Sequence, residues 1–219
     1  MKNKEISPIV ELRRYTLKPD QREVLIDLFD REFVETQEAC GLSVIGQFRD
    51  LDQPDHFVWL RGFPHMEARR QALSSFYGGP IWEEHKNSAN DTMIASDDVY
   101  LLRARQGFDL TGLERTGGPS GLLVALLYPA DAALPDFGDA LLASFVTEDS
   151  PNTFPRLPVW EDRKVQAVFL AFADETAFKA YPVPLAGAQV ARLTPTGRSL
   201  LRATPRAHGD QGGRADDQG

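Results

Sequence analysis

The feature that most limits what this chain can fold into is the order in which two periodicities alternate along it. Residues 9–17, IVELRRYTL, alternate as a strand does, and Lys18-Pro19-Asp20 stops them. Proline suits the first turn of a helix, and Asp20 complements the positive end of the helix dipole. The spacing then predicts a helix over 19–39, with Val24, Leu25, Leu28, Phe29 and Phe33 on one apolar stripe and Gly41 ending it. Strands are expected at 42–51 and 55–63, around the polar turn Asp52-Gln53-Pro54-Asp55. Pro64 opens a second helix that runs to about Phe76, with Met66, Leu73 and Phe76 on its buried side. Gly78-Gly79-Pro80 breaks it, a shorter helix covers 81–93, and a fourth strand covers 98–105. The order β-α-β-β-α-β is the split arrangement of ferredoxin-like folds. Four antiparallel strands with both helices on one face leave the other face to be covered, usually by a second sheet.

The pattern then restarts. Residues 106–120 hold five glycines and prolines and read as a linker. A strand is expected at 122–128, and Pro129-Ala130-Asp131 repeats the stop of Lys18-Pro19-Asp20. Residues 139–146 mix a short helix with the start of a strand, 149–160 form a proline-rich loop, and 164–172 form a strand. Phe172-Ala173-Asp174-Glu175-Thr176-Ala177 matches Phe63-Pro64-His65-Met66-Glu67-Ala68 at a strand-to-helix junction, and 189–194 close the series. The expected fold is therefore α+β: two tandem ferredoxin-like halves, 1–105 and 121–204, forming an α+β barrel, the second with shortened helices. Residues 205–219 have no apolar pattern and are expected to be disordered.

Composition narrows the partners. Hydrophobic residues make up 42% and charged residues 26%, enough for a real core. The net charge of -8 argues against nucleic acid, whose phosphates need a clustered positive field. With Cys40 alone no intramolecular disulfide can form. The opening MKNKEISPIV has no apolar stretch behind its lysines, and the longest apolar run, 121–128, is too short for the ~20 residues of a membrane helix. The expectation is a cytoplasmic protein without a membrane partner. No G-x-G-x-x-G, P-loop or G-x-S-x-G occurs, and no His or Cys pair has metal-ligand spacing, so no nucleotide, metal or other cofactor is expected.

Several stretches resemble the NIPSNAP family in order and spacing. They are Val10-Glu11-Leu12-Arg13-Arg14-Tyr15-Thr16-Leu17-Lys18-Pro19, Gly46-Gln47-Phe48, and Phe57-Val58-Trp59-Leu60-Arg61-Gly62-Phe63. Further on come Trp82-Glu83-Glu84-His85, Asn90-Asp91-Thr92-Met93, and Ser96-Asp97-Asp98-Val99-Tyr100-Leu101-Leu102-Arg103. They span about 8–105, and the second half is similar only in outline, chiefly through residues 189–196. The resemblance implies a dimeric α+β barrel in which two four-stranded sheets meet, supplied by two chains in many relatives and here by the two halves, so that a monomer with an internal barrel and a homodimer both fit. Eukaryotic members resemble mitochondrial scaffold or signalling proteins. The wider superfamily includes cofactor-free monooxygenases, haem-degrading enzymes and isomerases, so the resemblance implies shape more than chemistry.

Strand alternation selects the candidate site. Putting Val10, Leu12, Val58, Leu60 and Leu102 under the helices leaves Glu11, Arg13, Tyr15, Gln47, Arg49, Trp59, Arg61 and Arg103 on the open face. Four arginines against one glutamate suggest a pocket between the sheets for a carboxylate, enolate or other small anion, held by forked donors. In this reading Arg13, Gln47, Arg49, Trp59, Arg61, Trp82 and Arg103 bind the ligand, and Tyr15 or His85 handles a proton. Equally, the arginines pair with acids of the second half such as Asp149, Glu161 and Asp162, Trp59 and Trp82 line the core, and His85 covers a helix surface. Cys40 reads as a helix-end packing residue rather than a nucleophile. Two functions compete: a cofactor-free binder or enzyme, monooxygenase- or isomerase-like, acting on a small anionic organic compound, and a non-catalytic adaptor. Haem binding is a third, for which His85 is the axial candidate.

Overall fold

The computed structural model of the chain describes residues 7–115, 121–182 and 187–203. The first half contains β1 (Ile9–Leu17), α1 (Arg22–Leu28), a π-helical turn (Phe29–Phe33) and α2 (Val34–Ala39). It continues with β2 (Ser43–Asp50), β3 (His56–Phe63), α3 (Met66–Tyr77), α4 (Pro80–Asp91) and β4 (Met93–Gln106). The second half contains β5 (Leu122–Pro129), a 3-10 turn (Gly138–Ala140), β6 (Leu141–Thr147), β7 (Val165–Phe172), α5 (Glu175–Ala180) and β8 (Gln189–Pro195). The eight strands close into one barrel in the order β1-β3-β2-β8-β5-β7-β6-β4. Every adjacent pair is antiparallel. Each half supplies four neighbouring strands in the same internal order, β4-β1-β3-β2 and β8-β5-β7-β6, joined through β2–β8 and β4–β6. The fold is the expected α+β barrel.

Local chemistry moves some boundaries. Asp20 has φ 63, a left-handed conformation that no helix residue adopts, so the first helix begins at Arg22 rather than at 19. Gly41, at φ 94, does end α2, with its amide on the Glu38 carbonyl at 3.0 Å. The π-helical turn replaces the continuous helix expected between them, and both of its phenylalanines are buried. Such turns insert a residue and turn side chains that a regular helix would direct elsewhere. β4 begins at Met93, not at 98, because it pairs with the far end of β1 as well.

One expectation is reversed. Val10, Leu12, Val58, Leu60 and Leu102 point into the barrel, against Leu123, Ala125 and Phe169 of the second half. Tyr15, Trp59 and Leu101 lie under the helices, packed with Phe29, Phe33, Leu73 and Phe76. The alternation was legible, but parity alone does not say which face is inside. An eight-stranded barrel is just wide enough for side chains to fill, and its closed interior offers polar groups no partners. The helix layer does offer them. The space between the sheets is therefore largely filled by apolar side chains, and the cavity lined by Leu12, Val58, Ala125 and Leu127 there is only about 10 Å³, too small for an organic anion.

The segment taken as a linker also has structure. Phe108 enters the barrel end and packs on Phe145 and Phe169, with ring centroids 5.3 and 5.1 Å away. Leu110 is buried with it, as are Leu200 and Leu201 from beyond β8. Two large apolar side chains within residues 106–110 explain why this stretch stoppers the barrel. Residues 116–120 and the tail 205–219 lie outside the described residues.

Candidate functional site

The two central strands of the first half set out the site. In the β1–β3 register Glu11 is opposite Arg61 and Arg13 is opposite Trp59. Alternation turns Glu11, Arg13 and Tyr15 toward the helices together, and α3 adds Arg69 from its buried stripe of Arg69, Ala72, Leu73 and Phe76. Glu11 is the hub. Its Oε2 accepts from Arg13 Nη1 at 2.6 Å and from Arg61 Nε at 2.9 Å, and its Oε1 accepts from Arg69 Nε at 2.6 Å. None of the four side chains is more than 1% exposed.

Three guanidiniums on one carboxylate leave two positive charges in a dry place. The other partners are neutral: Tyr15 Oη for Arg13 Nε (2.9 Å), Gln37 Oε1 for Arg61 (3.2 Å), and Asn152 Oδ1 and Thr153 Oγ1 for Arg69 (3.0 and 3.2 Å). Trp59 lies between two of the cations, with Arg13 5.6 Å and Arg61 5.0 Å from its ring centre. Burial pushes the Glu11 carboxyl up, but Arg61, Arg13 and Arg69 together outweigh it and hold the group well below the usual carboxylate range. Burial lowers Arg69 and raises the Tyr15 phenol, the latter against the pull of Arg13. Tyr15 thus keeps its proton at neutral pH. Its oxygen accepts from Arg13, and its O–H is available to donate.

Next to this cluster is a cavity of about 30 Å³ between sheet and helices, with Tyr15, Phe29, Phe33, Gln37, Trp59, Tyr77 and Trp82 in its lining. That is room for about two waters. The aromatic walls are mutually packed: Phe29 on Trp59 at 4.8 Å, Phe33 on Phe76 at 5.7 Å, Tyr77 on Trp82 at 4.8 Å. The indole nitrogen of Trp59 is buried without a hydrogen-bond partner, which is uncommon for a buried donor. The second half contributes too. Its loop 149–160 crosses over the first half's helices, where Phe154 stacks on Tyr77 with centroids 5.9 Å apart.

Of the residues expected from sequence, Arg13, Tyr15, Trp59, Arg61 and Trp82 are brought together here, on the helix side of the sheet rather than between the sheets. The others are not. Gln47 donates to Asp30 at 3.0 Å, Arg49 is paired with Glu23 at 2.5 Å, and Arg103 is half exposed and paired with Glu148. His85 is partly buried on α4, with Nε2 3.6 Å from Glu32, and does not line the cavity. The Cys40 thiol is raised by burial, which suits packing rather than attack. Asp149 takes Lys164, and no ion pair joins Glu161 or Asp162 to the three buried arginines among the described residues. Sequence reasoning missed Arg69, Gln37, Tyr77, Asn152 and Thr153. A signal existed for Arg69, an arginine in phase with the apolar stripe of its helix.

Comparison with known proteins agrees with this architecture. Residues 10–105 match the family model described as NIPSNAP. No curated protein matches the chain. Among solved structures, a candidate monooxygenase from Fusobacterium nucleatum superposes with a TM-score of 0.53 at 10% identity, covering 87% of this chain and 93% of that one. A candidate monooxygenase from Lactobacillus acidophilus gives 0.52 at 12% identity, covering 86% and 94%. A NIPSNAP-like domain protein from Burkholderia xenovorans is 24% identical over 42% of this chain and 81% of its own, with a TM-score of 0.39. The two full-length likenesses show the barrel fold, and the family match falls on the half that holds the buried arginines. The part of this chain that is similar to NIPSNAP domains is thus its first half, over residues 10–105.

Proposed function

We propose that the first half binds a small, flat, oxygen-bearing organic compound, a phenol, enol or its anion, between its sheet and its helices, and stabilises negative charge on that oxygen. One observation carries the reading. Trp59, whose buried N–H has no partner, and Tyr15 both line an aromatic cavity beside a cluster with two positive charges in excess. Tyr15 and Trp59 serve as the two donors to the ligand oxygen, and Trp82 and Phe33 hold the ring. Preorganised donors backed by fixed positive charge favour the anion over the neutral form, which is the stabilisation that proton transfer or attack by oxygen at the neighbouring carbon requires. This is compatible with the monooxygenase- or isomerase-like chemistry expected from the resemblance, and with the solved relatives described as candidate monooxygenases.

A ring does not fit in 30 Å³, so the ligand needs the roof to move. α4 buries only Ala89 fully, whereas α3 buries Arg69, Ala72, Leu73 and Phe76. Opening at α4 costs mainly the contacts of Trp82 with Phe33, Phe76 and Tyr77, which a bound ring would replace. The same small volume favours a second reading, in which the first half is a non-catalytic binding module and the aromatic cluster is only its core.

Tryptophan fluorescence and thermal melting against a panel of phenols, hydroxyaromatic acids and quinones separate the two. The proposed site predicts quenching together with a rise in melting temperature for at least one class, both lost in Tyr15→Phe. A panel that leaves both signals unchanged rejects the site and leaves the binding-module reading standing.

A further inference from the structure

A second feature of the buried cluster has no part in that cavity. Arg69 gives Nε to Glu11, which Arg13 and Arg61 already share, and Nη1 to two neutral oxygens, those of Asn152 and Thr153. Its Nη2 is buried with no partner. Among the described residues no second carboxylate is paired with any of the three guanidiniums. The two oxygens come from loop 149–160 of the second half, and the exposed Glu161 just after it accepts from the Asn152 backbone N–H at 3.2 Å.

We infer that Arg69 is a receptor for a small carboxylate, and that Asn152 and Thr153 stand in for its oxygens when it is absent. The guanidinium fork matches a carboxylate with two parallel donors, and Arg69 presents Nη1 and the orphaned Nη2 for that purpose. A neutral amide oxygen and a hydroxyl satisfy part of the fork but none of the charge. The incoming anion supplies the charge, removing one of the two excess positives. The loop itself is anchored, since Phe154, Leu157 and Val159 pack into the helix-side core, so what yields to the anion is the two side chains of Asn152 and Thr153 rather than the loop. This site needs neither Tyr15 nor Trp59, so it stands or falls separately from the aromatic cavity.

Thermal melting with sodium acetate, against sodium chloride at matched ionic strength, tests it on the full chain. The wild-type protein is expected to show a saturable rise specific to acetate, reaching roughly 5–10 °C at a hundredfold excess over Kd. Two variants carry the control. Asn152→Asp places a carboxylate in the position of the ligand, and Arg69→Met removes the fork. Both are expected to lose the acetate response. The response is what is read, not the starting stability, because Asn152→Asp also gives up the bond from Nδ2 to the Leu157 carbonyl (2.9 Å). Absence of an acetate-specific rise in the wild type overturns the inference. So does a rise that both variants retain in full, since that would be a general salt effect.

Discussion

The two halves place their central strands alike and line the helix-side face in opposite ways. In the first half the facing pairs are Glu11 with Arg61 and Arg13 with Trp59. In the second they are Leu122 with Phe172, Val124 with Leu170 and Leu126 with Val168, packed under Phe137 and Phe178. Both arrangements sit on the same antiparallel ladder in the same barrel. The architecture therefore does not require a charge at this layer. Replacing a buried ion network by well-packed apolar residues is commonly neutral or stabilising, so a chain that keeps three arginines and a glutamate there keeps them for a reason other than folding. The difference is what the proposed ligand site in the first half rests on.

The sharpest way to break that contrast is to remove the hub. Glu11→Gln leaves three guanidiniums buried without a carboxylate and is expected to cost about 3–5 kcal/mol in denaturant unfolding. A loss under about 1 kcal/mol would show that the arginines have other compensation. The pH dependence has a defined sign. The native carboxyl of Glu11 lies below its unfolded value, so its contribution is complete above the ordinary carboxylate range and is lost as the pH falls toward the native value. The wild type should lose stability on acidification more steeply than Glu11→Gln does.

The converse experiment gives the first half the lining of the second. Combining Glu11→Leu, Arg13→Val, Arg61→Leu and Arg69→Met is expected to leave a folded barrel, unchanged or more stable by up to about 4 kcal/mol, that no longer responds to ligands. Unfolding of this variant, followed by circular dichroism, would mean that the charges are structural after all. Going the other way, Val124→Asn puts an amide without partners on the apolar face and should cost about 1–3 kcal/mol. Smallest of all, Arg49→Ala breaks a partly exposed pair with Glu23 and should change the unfolding free energy by less than about 1 kcal/mol, with no effect on ligand response.

Most of the barrel was legible because its strands alternate and its turns carry proline, glycine and aspartate where the chain reverses. The pairing of Arg13, Tyr15, Trp59 and Arg61 was legible for the same reason, since residues two apart share a face. Three things were not. Parity is symmetric, so nothing in IVELRRYTL tells the barrel side from the helix side, and the arginines were assigned to the wrong layer. Partners from distant segments are invisible to local pattern as well. Asn152 and Thr153 sit in a loop whose path over α3 depends on how β6 and β7 close the barrel. Phe108 and Leu110 belonged to a stretch whose glycines outweighed its two large apolar side chains in the reading of a linker.

Closure of the barrel within a single chain changes what governs its formation. Each described strand has a neighbour on both flanks, so none of them is the open edge of a sheet that a strand of another molecule extends. A barrel assembled from two chains dissolves on dilution, because its halves must find each other by diffusion. Here the halves are tethered, the step is first order, and its entropic cost grows only slowly with the length of the connecting segment. The sheet-to-sheet contact that supports the site should therefore persist at any protein concentration, however scarce the protein becomes.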